Sequence, residues 1–143
     1  MHSRYTGECY GMLLRRSAGA ITEIYNETLR PLGLTLAQYS LLANLEYYGQ
    51  MNIKQWADMV GLERTTMVRN IRTLQARGWV KEAEGKGKQF VLSESGLKTF
   101  EEAHEEWVRA QKKIEKILGK VNCAAIVDIS VRLQNEAVEI SEK

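Results

Sequence analysis

The sequence predicts a mainly α-helical fold with one small β-hairpin. Apolar stripes of helical period run through most of the chain, and Gly or Pro punctuates them at Pro31, Gly33, Gly49, Gly61, Gly78 and Gly119. Two short β-capable runs flank Glu84-Gly85-Lys86-Gly87. With 143 residues and no Pro/Ser/Gly-rich linker, the chain fits a single domain, 1–143.

The first helix is expected from about Tyr10 to Arg30, with Leu14, Ala18, Ile21, Tyr25 and Thr28 on one face, and Pro31 and Gly33 stop it. Thr35-Leu36-Ala37-Gln38 is a capping box that opens a second helix, with Leu42 and Leu45 turned inward. Asn52-Ile53-Lys54-Gln55 repeats that logic for a short third helix with Ile53, Trp56, Ala57 and Val60 as its buried stripe. Glu63 is placed to cap a fourth helix from about Arg64 to Arg77, and Gly78 closes it from the position that needs a left-handed backbone.

The runs 79–83 and 88–92 then read as a hairpin. Ser93 caps a long helix to Leu118, with Leu97, Phe100, His104, Trp107, Gln111, Ile114 and Leu118 as the inward 3/4 stripe. Gly119 breaks it. Asn122 then caps a last helix with the face Ile126, Ile129, Leu133, Ala137 and Ile140. The two outer arms are too long and too apolar for one chain of this size to bury, which predicts an obligate homodimer.

The informative stretch is Ile53 to Leu92: helix, Gly-containing turn, helix and hairpin, a winged helix-turn-helix. At 100° per residue, Met67, Ile71 and Leu74 anchor the second of these helices, while Thr65, Arg69, Arg72 and Thr73 face away and Thr66 and Asn70 flank them. Arg64, Thr65, Thr66, Arg69, Asn70 and Arg72 are therefore the expected DNA-binding residues. Arg can pair with guanine, Asn with adenine, and a Thr methyl can touch thymine in the major groove. Lys86 and Lys88 of the hairpin would meet phosphates or the minor groove. Net charge is +2, but residues 61–90 alone carry seven cations against three anions, a basic middle between slightly acidic flanks. The partner expected on these grounds is double-stranded DNA, with a pseudo-palindromic operator whose half-site centres lie about 10–11 base pairs apart. A winged-helix protein-interaction module that has lost DNA binding is the alternative.

Other classes lack residues to support them. There is no phosphate-cradling loop, nucleophile elbow or HExxH, and Glu101-Glu102 and Glu105-Glu106 read as a solvated face, so no enzyme is expected. His104 has no Cys/His cluster around it, which leaves a packing or pocket role and predicts neither metal nor cofactor. No apolar run of eighteen exists, so no membrane span is expected, and residues 1–8 lack a signal-peptide core, which predicts the cytoplasm.

Several motifs together resemble the MarR family of winged helix-turn-helix repressors. They are Leu14-Arg15-Arg16, Tyr25, Leu32-Gly33-Leu34-Thr35, Gln38-Tyr39, Leu41-Leu42, Gly61 to Ile71 with Leu74, Gly78 and Val80, and Leu92-Ser93-Glu94-Ser95-Gly96. The resemblance covers about Cys9 to Leu118. It implies a DNA-binding lobe over about 35–92, a dimerisation region formed by 8–32 and 94–143, and a pocket for a small-molecule effector between them. Two departures stand out. The family's wing usually carries an Asp-x-Arg pair, whereas this one carries Lys86 and Lys88, which lack arginine's planar fork. Hydroperoxide sensors of the family bear a reactive cysteine where this chain has Gly11. Cys9, two residues earlier, is the candidate redox sensor, with a small apolar role at the dimer interface as the other reading.

Overall fold

In the computed structural model, residues 9–85 and 87–142 are described. The expectations placed on residues 1–8 and on Lys86 lie outside them. The observed order is α1 (Tyr10–Leu29), a 3-10 turn (Arg30–Leu32), α2 (Leu36–Tyr48), α3 (Ile53–Val60), α4 (Arg64–Ala76), β1 (Val80–Glu82), β2 (Phe90–Leu92) and α5 (Glu94–Glu142), as the predicted fold class requires.

Local chemistry sets most boundaries. Both expected capping boxes form, with Thr35 and Asn52 accepting from the amides of Gln38 and Gln55. Gly78, at φ 77°, ends α4 in a Schellman motif: its N–H bonds the Gln75 carbonyl at 2.9 Å, and the Trp79 N–H bonds that of Leu74 at 3.0 Å. Ser93 Oγ accepts the Gly96 amide at 3.0 Å and so starts α5.

The core lies where α2 meets α3, α4 and the hairpin. Trp56 is fully buried, donates Nε1–H to the Leu41 carbonyl at 3.1 Å, and packs against Phe90 with ring centroids 5.8 Å apart. β1 and β2 pair antiparallel with Val80 opposite Leu92. The other edge of β2 is met by Met51, which exchanges two backbone hydrogen bonds with Phe90. The base of the hairpin is thus hydrogen-bonded to the α2–α3 connection.

Four expectations need correction. Glu63 stands at the start of α4, but its side chain makes no capping bond. The strands are shorter than expected, so Trp79, Ala83, Lys88 and Gln89 fall outside them. Asn122 does not cap a helix; its amide donates to the Leu118 carbonyl at 2.9 Å, while Gly119, at φ 81° and ψ 163°, forms the break by itself.

The largest difference is in α5, whose buried positions are Gly96, Ala103, Ala110 and Ile114, with Leu97 at 40% exposure. Phe100, Trp107 and Ile114 of the expected stripe do face inward, but Leu97 and His104 are exposed and small residues fill the rest of the inward face, which lets the helix approach closely. At Gly96 a Cβ would stand 1.9 Å from the Trp79 carbonyl oxygen, so only glycine fits.

Candidate nucleic-acid interface

The orientation of α4 follows from its anchor. Met67, Ile71 and Leu74 are 0–3% exposed, and that burial turns the opposite side of the helix to solvent. Thr65, Arg69 and Arg72 are exposed there, and Arg64, about 50° round the helix from the anchor, is exposed at its first turn. Among the described residues, no ion pair engages any of the three arginines, so their guanidinium groups keep their full donor capacity. Thr73 is half-buried and returns its hydroxyl proton to the Arg69 carbonyl at 3.1 Å.

Thr66 and Asn70 sit on the flank that faces α2, and both are half-buried. The Asn70 amide is engaged at both ends. Its Nδ2 donates to the Thr66 carbonyl at 3.0 Å, and its Oδ1 accepts from Gln38 Nε2 at 3.4 Å. Lys88 lies in the wing loop, 3.6 Å from the Glu82 carboxylate, with both side chains more than half exposed. Such a pair is weak and screened by salt, so the lysine remains available to a phosphate.

Sequence reasoning assigned Gln38 to capping alone and gave Arg77 no individual role. Arg77 Nη1 donates to the Gly33 carbonyl, and its guanidinium lies 5.0 Å from the Trp79 ring centroid. Donors at a helix's C-terminal turn are a signal that pattern reading could have used. Their partner, three elements away, is not.

Where the arms meet the lobe, aromatic rings form a ladder. Tyr25 stacks on Trp107 at 6.4 Å, Trp107 on Tyr39 at 5.8 Å, and Tyr39 on Phe100 at 5.7 Å. His104 stacks on Trp107 at 5.6 Å, and its Nδ1 lies 2.9 Å from the Tyr39 hydroxyl. Burial, then the charge of Glu46 and the neighbouring Tyr25, push the Tyr39 hydroxyl up to about 12. Burial first, then Cys123 and Glu115, also raise that of Tyr25, which donates to Gln111 Oε1.

The arms themselves expose large apolar side chains. Tyr10, Leu13, Leu14, Ile129 and Leu133 line an apolar groove between the start of α1 and the limb of α5 beyond Gly119. Cys9 is exposed at the N-cap of α1 with a free thiol. Among the described residues, no group of His, Cys, Asp and Glu could hold a metal ion, and no helix is long and apolar enough to cross a membrane.

The MarR family model matches residues 34–83, from the last turn before α2 to the end of β1. The HTH-type transcriptional regulator YwoH of Bacillus subtilis is 30% identical over 104 residues, covering 71% of this chain and 76% of that protein. The Mycobacterium tuberculosis transcriptional regulator MosR superposes with a TM-score of 0.79 at 27% identity, over 91% of this chain and 97% of its own, and it has also been solved in complex with DNA. Bordetella bronchiseptica BpsR, whose DNA binding is regulated by 6-hydroxynicotinic acid, shares the fold with a TM-score of 0.84 at 21% identity, over 94% and 99% of the two chains.

Proposed function

The chain belongs to the MarR family of transcription regulators and is not an enzyme, and from that premise we propose that it is a homodimeric repressor of double-stranded DNA. It acts in the cytoplasm on a pseudo-palindromic operator. Each α4 enters a major groove N-terminus first, so that Arg64, Thr65, Thr66, Arg69 and Arg72 meet base edges and adjacent phosphates while Lys86 and Lys88 of the wing meet the backbone alongside. Asn70 belongs to the same face as a flanking residue. The lobe spans 35–92, and 8–32 with 94–143 form the dimer.

The observation that carries this reading is the exposed surface of α4: Arg69 and Arg72 opposite a buried anchor and Arg64 at the entering end, none of them in an ion pair among the described residues. The charge of that face suits a phosphate-lined groove. Supporting the dimer are the bare apolar side chains of both arms, Leu14 at 46% exposure and Leu133 at 54% among them.

The signal that releases DNA is a small molecule or an oxidant. A small molecule would act at the junction of arms and lobe, where the Tyr25–Trp107–Tyr39–Phe100 ladder offers stacking surfaces and the Tyr39–His104 pair a polar handle. An oxidant would act at exposed Cys9. Release by peroxide from the native protein but not from Cys9→Ser assigns the thiol; equal behaviour of the two makes Cys9 structural and leaves the signal to a small molecule or another group.

Anisotropy titration against the DNA upstream of the protein's own coding sequence, with random duplex as reference, tests the central claim. The expected result is a preference of about 10³-fold or more for one site, with affinity falling steeply as salt rises. Binding to no duplex would reject it in favour of a protein-interaction module.

A further inference from the structure

We propose that Gln38 is a positioning residue for the DNA-binding helix: through Asn70 it fixes the rotational setting of α4 against the first turn of α2. The proposal rests on the reading of α4 as the recognition helix. It assigns Asn70 to that setting instead of to a base.

Gln38 is the third residue of α2, and its two amide ends do different work. Oε1 accepts the Thr35 N–H at 3.2 Å and completes the capping box. Nε2 is left over, and it reaches Asn70 Oδ1 at 3.4 Å. Asn70 in turn spends Nδ2 on the Thr66 carbonyl. An asparagine that reads adenine needs both ends of its amide aimed into the groove at once; here one N–H and one lone pair are already engaged within the protein, and those two bonds turn the amide toward α2. Its place explains why, since it lies about 70° round the helix from the Met67/Ile71/Leu74 line, beside α2 and not opposite the core.

Two further contacts make the link more than a local one. Arg77, just past the end of α4, holds the Gly33 carbonyl. Gly33 has φ 74°, and a Cβ there would stand 3.4 Å from Arg77 Nη1, so the loop before α2 and the end of α4 meet at close range. Asn26 Oδ1 accepts the Leu36 N–H at 2.7 Å and ties the same turn of α2 back to α1. The anchor of α4 is apolar, and apolar burial is non-directional. Polar links at the middle and the end of the helix supply the direction that the anchor lacks. The path Asn26, Leu36, Thr35, Gln38, Asn70 then connects the dimer arm to the DNA-facing helix.

Gln38→Glu separates the two roles, because it keeps an oxygen for the Thr35 amide and removes the donor to Asn70. Anisotropy on operator and random duplex should show the operator-to-random preference reduced about three- to tenfold, the size of one lost hydrogen bond, a ratio in which the added charge of the carboxylate, common to all duplexes, cancels. Asn70→Ala should give the same loss, the double variant no more, and preference at each operator position should stay as in the native protein. Thermal unfolding of the same four proteins without DNA should be non-additive.

Additive unfolding would mean that the two side chains are not coupled, and would overturn the proposal. So would an Asn70→Ala protein that relaxes preference at one base per half-site while Gln38→Glu binds as the native protein does, since Asn70 would then be reading a base. Native protein that binds no duplex would overturn the DNA reading and the positioning role together. Failure of the cycle in protein that binds its operator normally would remove this inference alone.

Discussion

α4 and the limb of α5 beyond Gly119 are both amphipathic helices, and they end in opposite states. In α4, Met67, Ile71 and Leu74 are buried against the lobe. In the α5 limb, Ile126, Ile129 and Leu133 repeat the same kind of spacing, yet they are 42–54% exposed, and Val127, Val131 and Val138 beside them are no better covered. One stripe is satisfied by its own chain and the other is not. Apolar surface on this scale in a monomer marks an interaction face. The lobe therefore carries its own core, whereas the arms leave apolar surface bare, which is what the proposed homodimer would cover.

The largest expected effect comes from charging the uncovered stripe. Leu133→Asp places a carboxylate at each copy of the two-fold interface, where an unpaired buried charge costs on the order of 3–5 kcal/mol. Sedimentation at micromolar concentration should show the dimer lost, and binding to a two-half-site operator should go with it. A dimer of unchanged stability would mean that this stripe is not the interface, and the contrast with α4 would collapse.

Trp56→Ala attacks the covered side of the comparison. It removes the largest fully buried side chain, its hydrogen bond to the Leu41 carbonyl and its contact with Phe90. A cost of about 3–5 kcal/mol is expected, read as a lower denaturation midpoint. A midpoint that did not move would place the stabilising core somewhere other than the lobe.

Arg69→Ala should leave both fold and dimer unchanged, because the side chain is exposed and opposite the anchor. On the operator it should cost about 1–3 kcal/mol and relax preference at one position per half-site, with little change on random DNA. Arg72→Ala should instead weaken all duplexes alike and lower the salt slope by about one per subunit. Unchanged affinity for Arg69→Ala on every duplex would remove this face from the DNA.

The smallest effect lies at the junction of the two regions. Burial keeps the Tyr39 hydroxyl protonated up to about 12, whereas an unfolded tyrosine ionises near its reference value of about 10. The stability this gives is complete below about pH 10 and is lost as pH rises through about 12. Tyr39→Phe should flatten that alkaline decline and cost about 1 kcal/mol near neutrality through the lost bond to His104. Denaturation midpoints followed from pH 8 to 12 check both.

The order of helices and hairpin, the two capping boxes, the Gly78 stop, and the division of α4 into anchor and outer face could all be read in the sequence. Each is decided within about one helical turn, by backbone hydrogen bonding or by the 3.6-residue period. The inward face of α5 could not be read the same way. Of the expected stripe, Ile114 is buried and Phe100 and Trp107 pack on the core, but close approach to Trp79 selects Gly96 instead of Leu97, and Ala103 and Ala110 are buried instead of His104 and Gln111. Asn70 carried no local sign that its amide would be tied to Gln38, 32 residues away. Nor did the pattern distinguish a stripe that its own chain covers from one that it leaves bare. The sequence by itself determined which residues form each helix and which face of it is apolar, because those are properties of neighbours along the chain. Only the tertiary structure decided how closely the helices approach and which polar ends are already occupied, because those depend on groups that meet in space and not in sequence.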